Sequence, residues 1–298
     1  MVNVLILMLI LLNALQGLFC RMFSIHYPGK RRNVSLVYSA FTGAATAMII
    51  FASNGFSYRP SKITVLLGIA GAFFLFGTYS ALIYATAGGS YSFFNICGCF
   101  GGTLIPLFVT IFVYGESFRT VQAAGFLITL ISMVFFNLNE FQKEAGSGSK
   151  KRSGRYLFYC AFGAAAVGIY NQLISTQQIL LKYQEHSEMI VTIYLSMAVL
   201  CMCGLFAGNG AEAPKTLVLN KKSVLFLVLC SSILPIYMSG VLILFRYVSA
   251  AMFYMIGNGG TLILSAVFSG IFFKEHFTRS KVFGVLAAVL GAVLLSIP

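Results

Sequence analysis

The sequence predicts an all-α membrane protein of about ten transmembrane helices, arranged as two inverted five-helix repeats. Three observations carry this expectation: long apolar stretches, a scarcity of charge between them, and a motif that recurs half a chain later. Of 298 residues, 59% are hydrophobic and only 9% are charged, with a mean hydropathy of +0.90. A soluble domain carries roughly a quarter charged residues. Lipid must therefore replace water over most of this surface.

A spanning helix needs about 20 mostly apolar residues to cross about 30 Å of hydrocarbon. The first candidate, 2–21, has no basic residues ahead of it and no small-x-small cleavage site after it, so it reads as a retained helix rather than a signal peptide. Segments 34–53, 63–85, 90–114 and 119–138 follow through short connections. The one long break is Asn139–Arg155, where Gly146-Ser147-Gly148-Ser149 leads into Lys150-Lys151-Arg152. Beyond it come 156–177, 188–207, 223–245, 250–273 and 279–297. The expected organisation is a first repeat over 1–138, a basic linker over 139–155 and a second repeat over 156–298. In lipid only helices or closed barrels satisfy the backbone, and runs this long exclude barrel strands.

The second half repeats the first. Gly101-Gly102-Thr103-Leu104-Ile105 returns as Gly259-Gly260-Thr261-Leu262-Ile263, and Asn13 returns as Asn171 at the same offset. After a one-residue insertion, Glu116, Phe118 and Gly125 match Glu275, Phe277 and Gly284. Five crossings per half is an odd number, so the halves cross in opposite directions. Inverted repeats of this kind belong to secondary transporters, with the binding site near midplane where the repeats meet.

Charge supports insertion over nucleic-acid binding. The chain carries 20 Lys and Arg against 7 acidic residues, a formal net charge of +13. The basic residues sit between apolar runs, as in Lys30-Arg31-Arg32, and form no basic face on a soluble module. Loops after the first, third, fifth, seventh and ninth segments hold 15 of the 20, which places both termini outside by the positive-inside rule. The seven cysteines lie in or beside apolar runs and predict no secreted disulfide framework. Cys97/Cys99 and Cys201/Cys203 are two apart on helices, too divergent to chelate a metal.

The duplicated ends of the fourth and ninth segments carry a family resemblance. Pro106 through Gly115-Glu116-Ser117-Phe118, then Phe272-Phe273-Lys274-Glu275, and the junction Phe245-Arg246-Tyr247-Val248-Ser249-Ala250 are the relevant strings. In these the chain resembles the drug/metabolite transporter superfamily, specifically the ten-helix EamA-type transporters, over essentially its whole length. The resemblance implies a small-molecule carrier of the cell membrane, with a bacterial cytoplasmic membrane as the expected compartment. It departs from the family in two respects. Leu264 stands where the second repeat would need a counterpart to Pro106, and family members are described with both termini cytoplasmic.

Polar residues inside spanning segments are costly unless they face protein or a wet cavity. In the sixth segment Ala164, Gly168, Asn171, Ser175 and Gln178 lie on one helical face. Asn13, Gln16 and Cys20 form a similar stripe in the first. The fourth carries Tyr91, Asn95, Gly98 and Gly102, and the ninth carries Tyr254, Asn258, Thr261 and Ser265 at the same spacing. Small and polar stripes also glue helices together, but their spread over four helices from both halves points to a common cavity. The candidate lining residues are Asn13, Gln16, Asn95, Asn171, Ser175 and Asn258, with Tyr79, Tyr84 and Tyr237 beside them. Glu116, Glu275 and Arg246, all at segment ends, are candidates for gating or coupling.

An uncharged lining of amides and hydroxyls suits a neutral or zwitterionic, amino-acid-like metabolite moved by alternating access, with export the expected direction. No carboxylate lies deep in a segment, so exchange or facilitated movement is expected rather than proton coupling. A multidrug efflux pump for lipophilic cations is the variant reading, although it wants buried carboxylates. A membrane enzyme or scaffold subunit is the alternative of another class. His26, His186 and His276 all fall outside the apolar centres, and no nucleophile, metal-ligand set or carboxylate pair stands out. The sequence thus predicts no enzyme, no cofactor and no metal. Its partners are the bilayer and a small-molecule substrate, and it is a monomer or a homodimer.

Overall fold

The computed structural model describes residues 2–113, 115, 120–121, 123–128, 131–132, 150–182, 184–209, 218–248, 250–274 and 279–295. Nine α-helices occupy these residues: α1 (Val2–His26), α2 (Val34–Ser53), α3 (Lys62–Thr86), α4 (Tyr91–Phe112), α5 (Lys150–Leu180), α6 (His186–Asn209), α7 (Lys221–Leu244), α8 (Ala250–Phe273) and α9 (Arg279–Leu295). A short 3-10 turn, Arg31–Asn33, precedes α2. The predicted segment 119–138 lies mostly outside the described residues; 123–128 within it are helical. Among the described residues, eight helices are long and apolar enough to cross a membrane. Their outer faces stay bare: Leu66 is 72% exposed and Phe112 76%. Side chains of this kind need lipid around them. The protein is an all-α, multi-pass membrane protein.

Local chemistry sets the helix starts. Ser90 Oγ accepts from the Phe93 N–H at the head of α4, and Asn220 Oδ1 accepts from Ser223 N at 2.7 Å ahead of α7. Each satisfies one of the backbone donors a helix N-terminus leaves unpaired. Behind α2, Gly55 takes φ +62° to turn the chain, a conformation that glycine adopts at no steric cost. Pro106 and Pro235 sit inside α4 and α7, a feature spanning helices tolerate when neighbours re-satisfy the freed carbonyls.

The chain divides into two compact units, neither of which is one half of the sequence. The first comprises Met1–Ala14, Tyr84–Ile169 and Val248–Pro298; the second comprises Leu15–Ile83 and Tyr170–Tyr247. Each unit draws on both repeats.

Within the first unit, α4 packs antiparallel to its own duplicate, α8. Tyr91 meets Phe273, Ser92 meets Ser269, and Cys99 meets Asn258. Parallel to α4 runs α5, with contacts that advance in step along both helices. The Phe93 and Tyr156 rings lie 5.7 Å apart, and one Cβ added to Gly101 would fall 2.0 Å from the Ala164 carbonyl oxygen. Gly168 lies against the Gly101 carbonyl, where a Cβ would come within 2.3 Å. Small residues permit this backbone contact. On the opposite flank of α8, Gly260 faces Ile10 of α1.

Within the second unit, α2 packs antiparallel to its duplicate, α6. Leu36 sits against Gly204, and Gly43 against the Tyr194 carbonyl and Met197. Thus α2 with α6 and α4 with α8 are both pairs of repeat-equivalent helices. This arrangement follows from two inverted repeats built by duplication.

Candidate functional site

In the first unit the polar stripes of α1, α4 and α8 meet. Asn13 Nδ2 on α1 donates to Thr261 Oγ1 on α8 at 3.2 Å. Asn258 Nδ2 donates to Thr103 Oγ1 at 3.0 Å and to the Cys99 carbonyl at 3.3 Å. In return, Cys99 Sγ donates to the Asn258 carbonyl at 3.3 Å. Nearer the start of α4, the hydroxyls of Ser92 and Ser269 form a third tie. Between these ties two polar atoms have no hydrogen-bond partner among the described residues: Asn95 Nδ2 and Ser265 Oγ. Tyr84, the remaining predicted residue here, stacks on Tyr159 with ring centroids 5.6 Å apart.

Asn258 therefore works as an interhelical tie as well as a polar face. Replacing it with leucine removes both bonds across the helix pair and leaves the Thr103 hydroxyl bonded only within α4, to the Cys99 carbonyl at 2.9 Å. Interhelical bonds of this kind contribute about 1 kcal/mol. Asn258→Leu should lower the unfolding midpoint in detergent by an amount of that order, and an unchanged midpoint would show the tie to be idle.

Gln16, Asn171, Ser175 and Tyr79 belong to the second unit, and all are buried. Gln16 Nε2 has no hydrogen-bond partner among the described residues. Tyr79 packs edge-on against Tyr38, with centroids 5.2 Å apart, and Tyr38 packs in turn against Phe23. Tyr237 is half-buried on α7. Arg246, just past α7, is exposed, and its Nε and Nη2 reach His186 Nε2 at 3.0 and 2.7 Å. Glu116 and Glu275, the two helix-end glutamates, lie outside the described residues.

One network was not visible in the sequence. Glu185, in the turn between α5 and α6, accepts hydrogen bonds from Ser61 N and Ser61 Oγ, each at 3.0 Å, and from Thr64 Oγ1 at 2.5 Å. Ser61 also accepts from Thr64 N at 3.3 Å, so the carboxylate grips the N-terminus of α3 through its cap. A carboxylate is favoured there by the helix dipole as well. Gln177 Nε2 donates to Thr64 Oγ1 at 3.0 Å and Gln178 donates to Gln177, which carries the network into buried α5. Partial burial raises the Glu185 carboxyl, but the bonds donated by Thr64 and Ser61 outweigh it and hold the group below the usual carboxylate range. Its backbone takes φ +58°, a conformation uncommon outside glycine and asparagine. Pro60-Ser61 before an apolar run marks a helix start in the sequence, but nothing there names Glu185 as the partner.

No sequence-family profile matches the chain, and no curated protein sequence matches it. Among solved structures, 28 chains match. One of them, titled only "Crystal structure of protein", is 16% identical, is covered over 96% of its length and covers 99% of this chain, with a TM-score of 0.67. At that identity the likeness is one of fold, and it extends from end to end. The chain is a multi-pass integral membrane protein with the inverted-repeat helical architecture that transporters use.

Proposed function

We propose that the protein is a secondary transporter of the drug/metabolite superfamily, EamA type, which exports a small neutral or zwitterionic, amino-acid-like metabolite by alternating access. The observation that carries this reading is the set of buried polar atoms left without partners on spanning helices of both repeats. Gln16 Nε2, Asn95 Nδ2, Ser265 Oγ and Gln178 Oε1 are all of this kind among the described residues. A buried unpaired donor or acceptor costs about 1–3 kcal/mol. Simple structural glue would pair them. A carrier keeps such groups for a solute that arrives and leaves.

The family reading rests on the Gly115-Glu116-Ser117-Phe118 and Lys274-Glu275 strings. The described helices carry no carboxylate near a membrane centre, which supports exchange or facilitated movement over proton coupling.

The test is counterflow into liposomes containing the purified protein, loaded with unlabelled solute and offered labelled amino acids, nucleosides, sugars, polyamines or cationic drugs. Saturable amino-acid uptake that an imposed pH gradient leaves unchanged, and that Asn171→Ala reduces, is the expected result. Uptake of lipophilic cations alone would replace the substrate class with a multidrug one. Flux no greater than in protein-free liposomes across the panel would overturn the transporter reading.

A further inference from the structure

The seam between α4 and α8 has a gap of defined chemistry. Going along α4, Ser92 is tied to Ser269, and Cys99 and Thr103 are tied to Asn258. In this antiparallel register Asn95 falls opposite Ser265, one turn beyond the serine pair. Both ties that bracket them are made, yet Asn95 Nδ2 and Ser265 Oγ are buried and bond to nothing among the described residues. Ser265 is only 1% exposed. Two unsatisfied groups at one level, bracketed by ties that are made, are not accounted for by helix packing.

There is also room beside them. Of the contacts around α4, α8 takes the face of Ser92, Cys99 and Thr103, while α5 takes the face of Phe93 and Gly101. Phe100, on another side, stacks on Phe126 at 6.1 Å. Gly98 belongs to none of these contacts. It lies one turn from Asn95 on the adjoining strip of α4, and a Cβ built on it meets nothing within 4 Å. Every other α4 glycine with a measured approach, Gly101, is closed by backbone.

We infer that Asn95, Gly98 and Ser265 form a subsite for an uncharged hydrogen-bonding group of the solute, a carboxamide by preference. The inference rests on the transporter reading, since a site at this depth needs a solute that reaches it. The side-chain amide N–H of Asn95 donates to the solute's carbonyl oxygen, and Ser265 Oγ accepts from its N–H. Gly98 leaves the volume for the group to enter. A carboxylate is excluded on charge. Neither α4 nor α8 contains a single Lys, Arg or His along its whole length, and an ion placed there would lose its hydration without a counter-ion. A carboxamide has the same shape as a carboxylate but carries no charge, and it brings the donor that Ser265 accepts.

Matched pairs test this directly: glutamine against glutamate, nicotinamide against nicotinate, and acetamide against acetate. Thermal unfolding of the purified full chain is read with each, alongside counterflow of the labelled forms. The carboxamide of at least one pair should raise the unfolding midpoint well above its carboxylate partner. Ser265→Ala should weaken that binding roughly tenfold, the cost of leaving one buried group unpaired. Gly98→Leu should abolish it by filling the space, and it is built where a side chain meets no neighbour. A carboxamide shift lost in both variants without any flux would keep the subsite and overturn the transporter reading. Flux of a carboxamide solute that both variants leave unchanged would overturn the subsite and keep the transporter. No carboxamide preference in any pair would overturn the subsite outright, leaving Asn95 and Ser265 as structural polar groups only.

Discussion

Gly101→Ala is expected to destabilise the protein more than any other single added methyl group in the first unit. The new Cβ would lie 2.0 Å from the Ala164 carbonyl oxygen and 2.4 Å from its carbon. Both are backbone atoms, so no side-chain rotation relieves the clash. Overpacking a tight interface costs about 1–3 kcal/mol, and a forced separation of α4 from α5 places this change at the upper end or above. The matched control is Gly98→Ala, three residues away on the same helix, where the added methyl meets nothing. That change should instead add about 0.5–1 kcal/mol, because alanine loses less backbone entropy in a helix than glycine does. The opposite signs are readable as unfolding midpoints in one detergent. Equal effects at the two positions would refute the close crossing. Gly168→Ala strikes the same contact from the α5 side, through the Gly101 carbonyl at 2.3 Å. The double variant should cost less than the two singles added together, since one separation of the helices relieves both clashes.

The second large effect concerns Glu185. Glu185→Ala removes the acceptor for Ser61 N, Ser61 Oγ and Thr64 Oγ1 together and leaves the Ser61 cap of α3 without its anchor. Charge-assisted hydrogen bonds are individually strong, but this carboxylate is partly exposed and solvent screens it. A net loss of about 1–2 kcal/mol at neutral pH is expected, comparable with the loss of a helix cap. The pH dependence has a definite sign. The carboxyl lies below its ordinary value in the folded protein, so the folded state binds protons less readily than the unfolded one. Its stabilisation is complete above an unfolded value of about 4.3 and disappears as pH falls through the folded value. The difference in unfolding midpoint between the native chain and Glu185→Ala should thus be full at neutral pH and shrink in acid. A difference that persists unchanged in acid would assign the effect to backbone strain at Glu185 rather than to its charge.

Much of the fold was legible because lipid imposes a simple rule on sequence. Each described span begins and ends within a few residues of an apolar run, and the duplicated Gly-Gly-Thr-Leu-Ile strings mark the two helices that pair. The site was legible in part. Asn13, Asn95 and Asn258 could be selected as costly amides in apolar helices, but their partners could not. Whether an asparagine ties helices or stays open depends on register between α4 and α8, which are joined by hydrogen bonds across 159 residues of chain. Spacing along one helix carries no such information. The Glu185 grip shows the same limit from the other direction: a glutamate in a polar turn looks solvated until the fold brings Ser61, 124 residues earlier, against it. Arg246 reads in the sequence only as a segment-end candidate for gating or coupling, and nothing there names His186, at which its guanidinium is directed.

The pairing of each helix with its own duplicate bears on how the protein is made. A ribosome delivers the first repeat to the membrane long before α6 and α8 exist. Until then α2 lacks the partner that closes around Gly43, and α4 presents Cys99, Thr103 and Asn95 to lipid. The early intermediate is therefore an inserted but incompletely packed set of helices, which the cell's membrane proteases can recognise. Completion depends on late synthesis rather than on local helix formation. The same dependence makes the two repeats separable in principle. Expressed as two polypeptides broken ahead of α5, each should be degraded alone and rescued by the other.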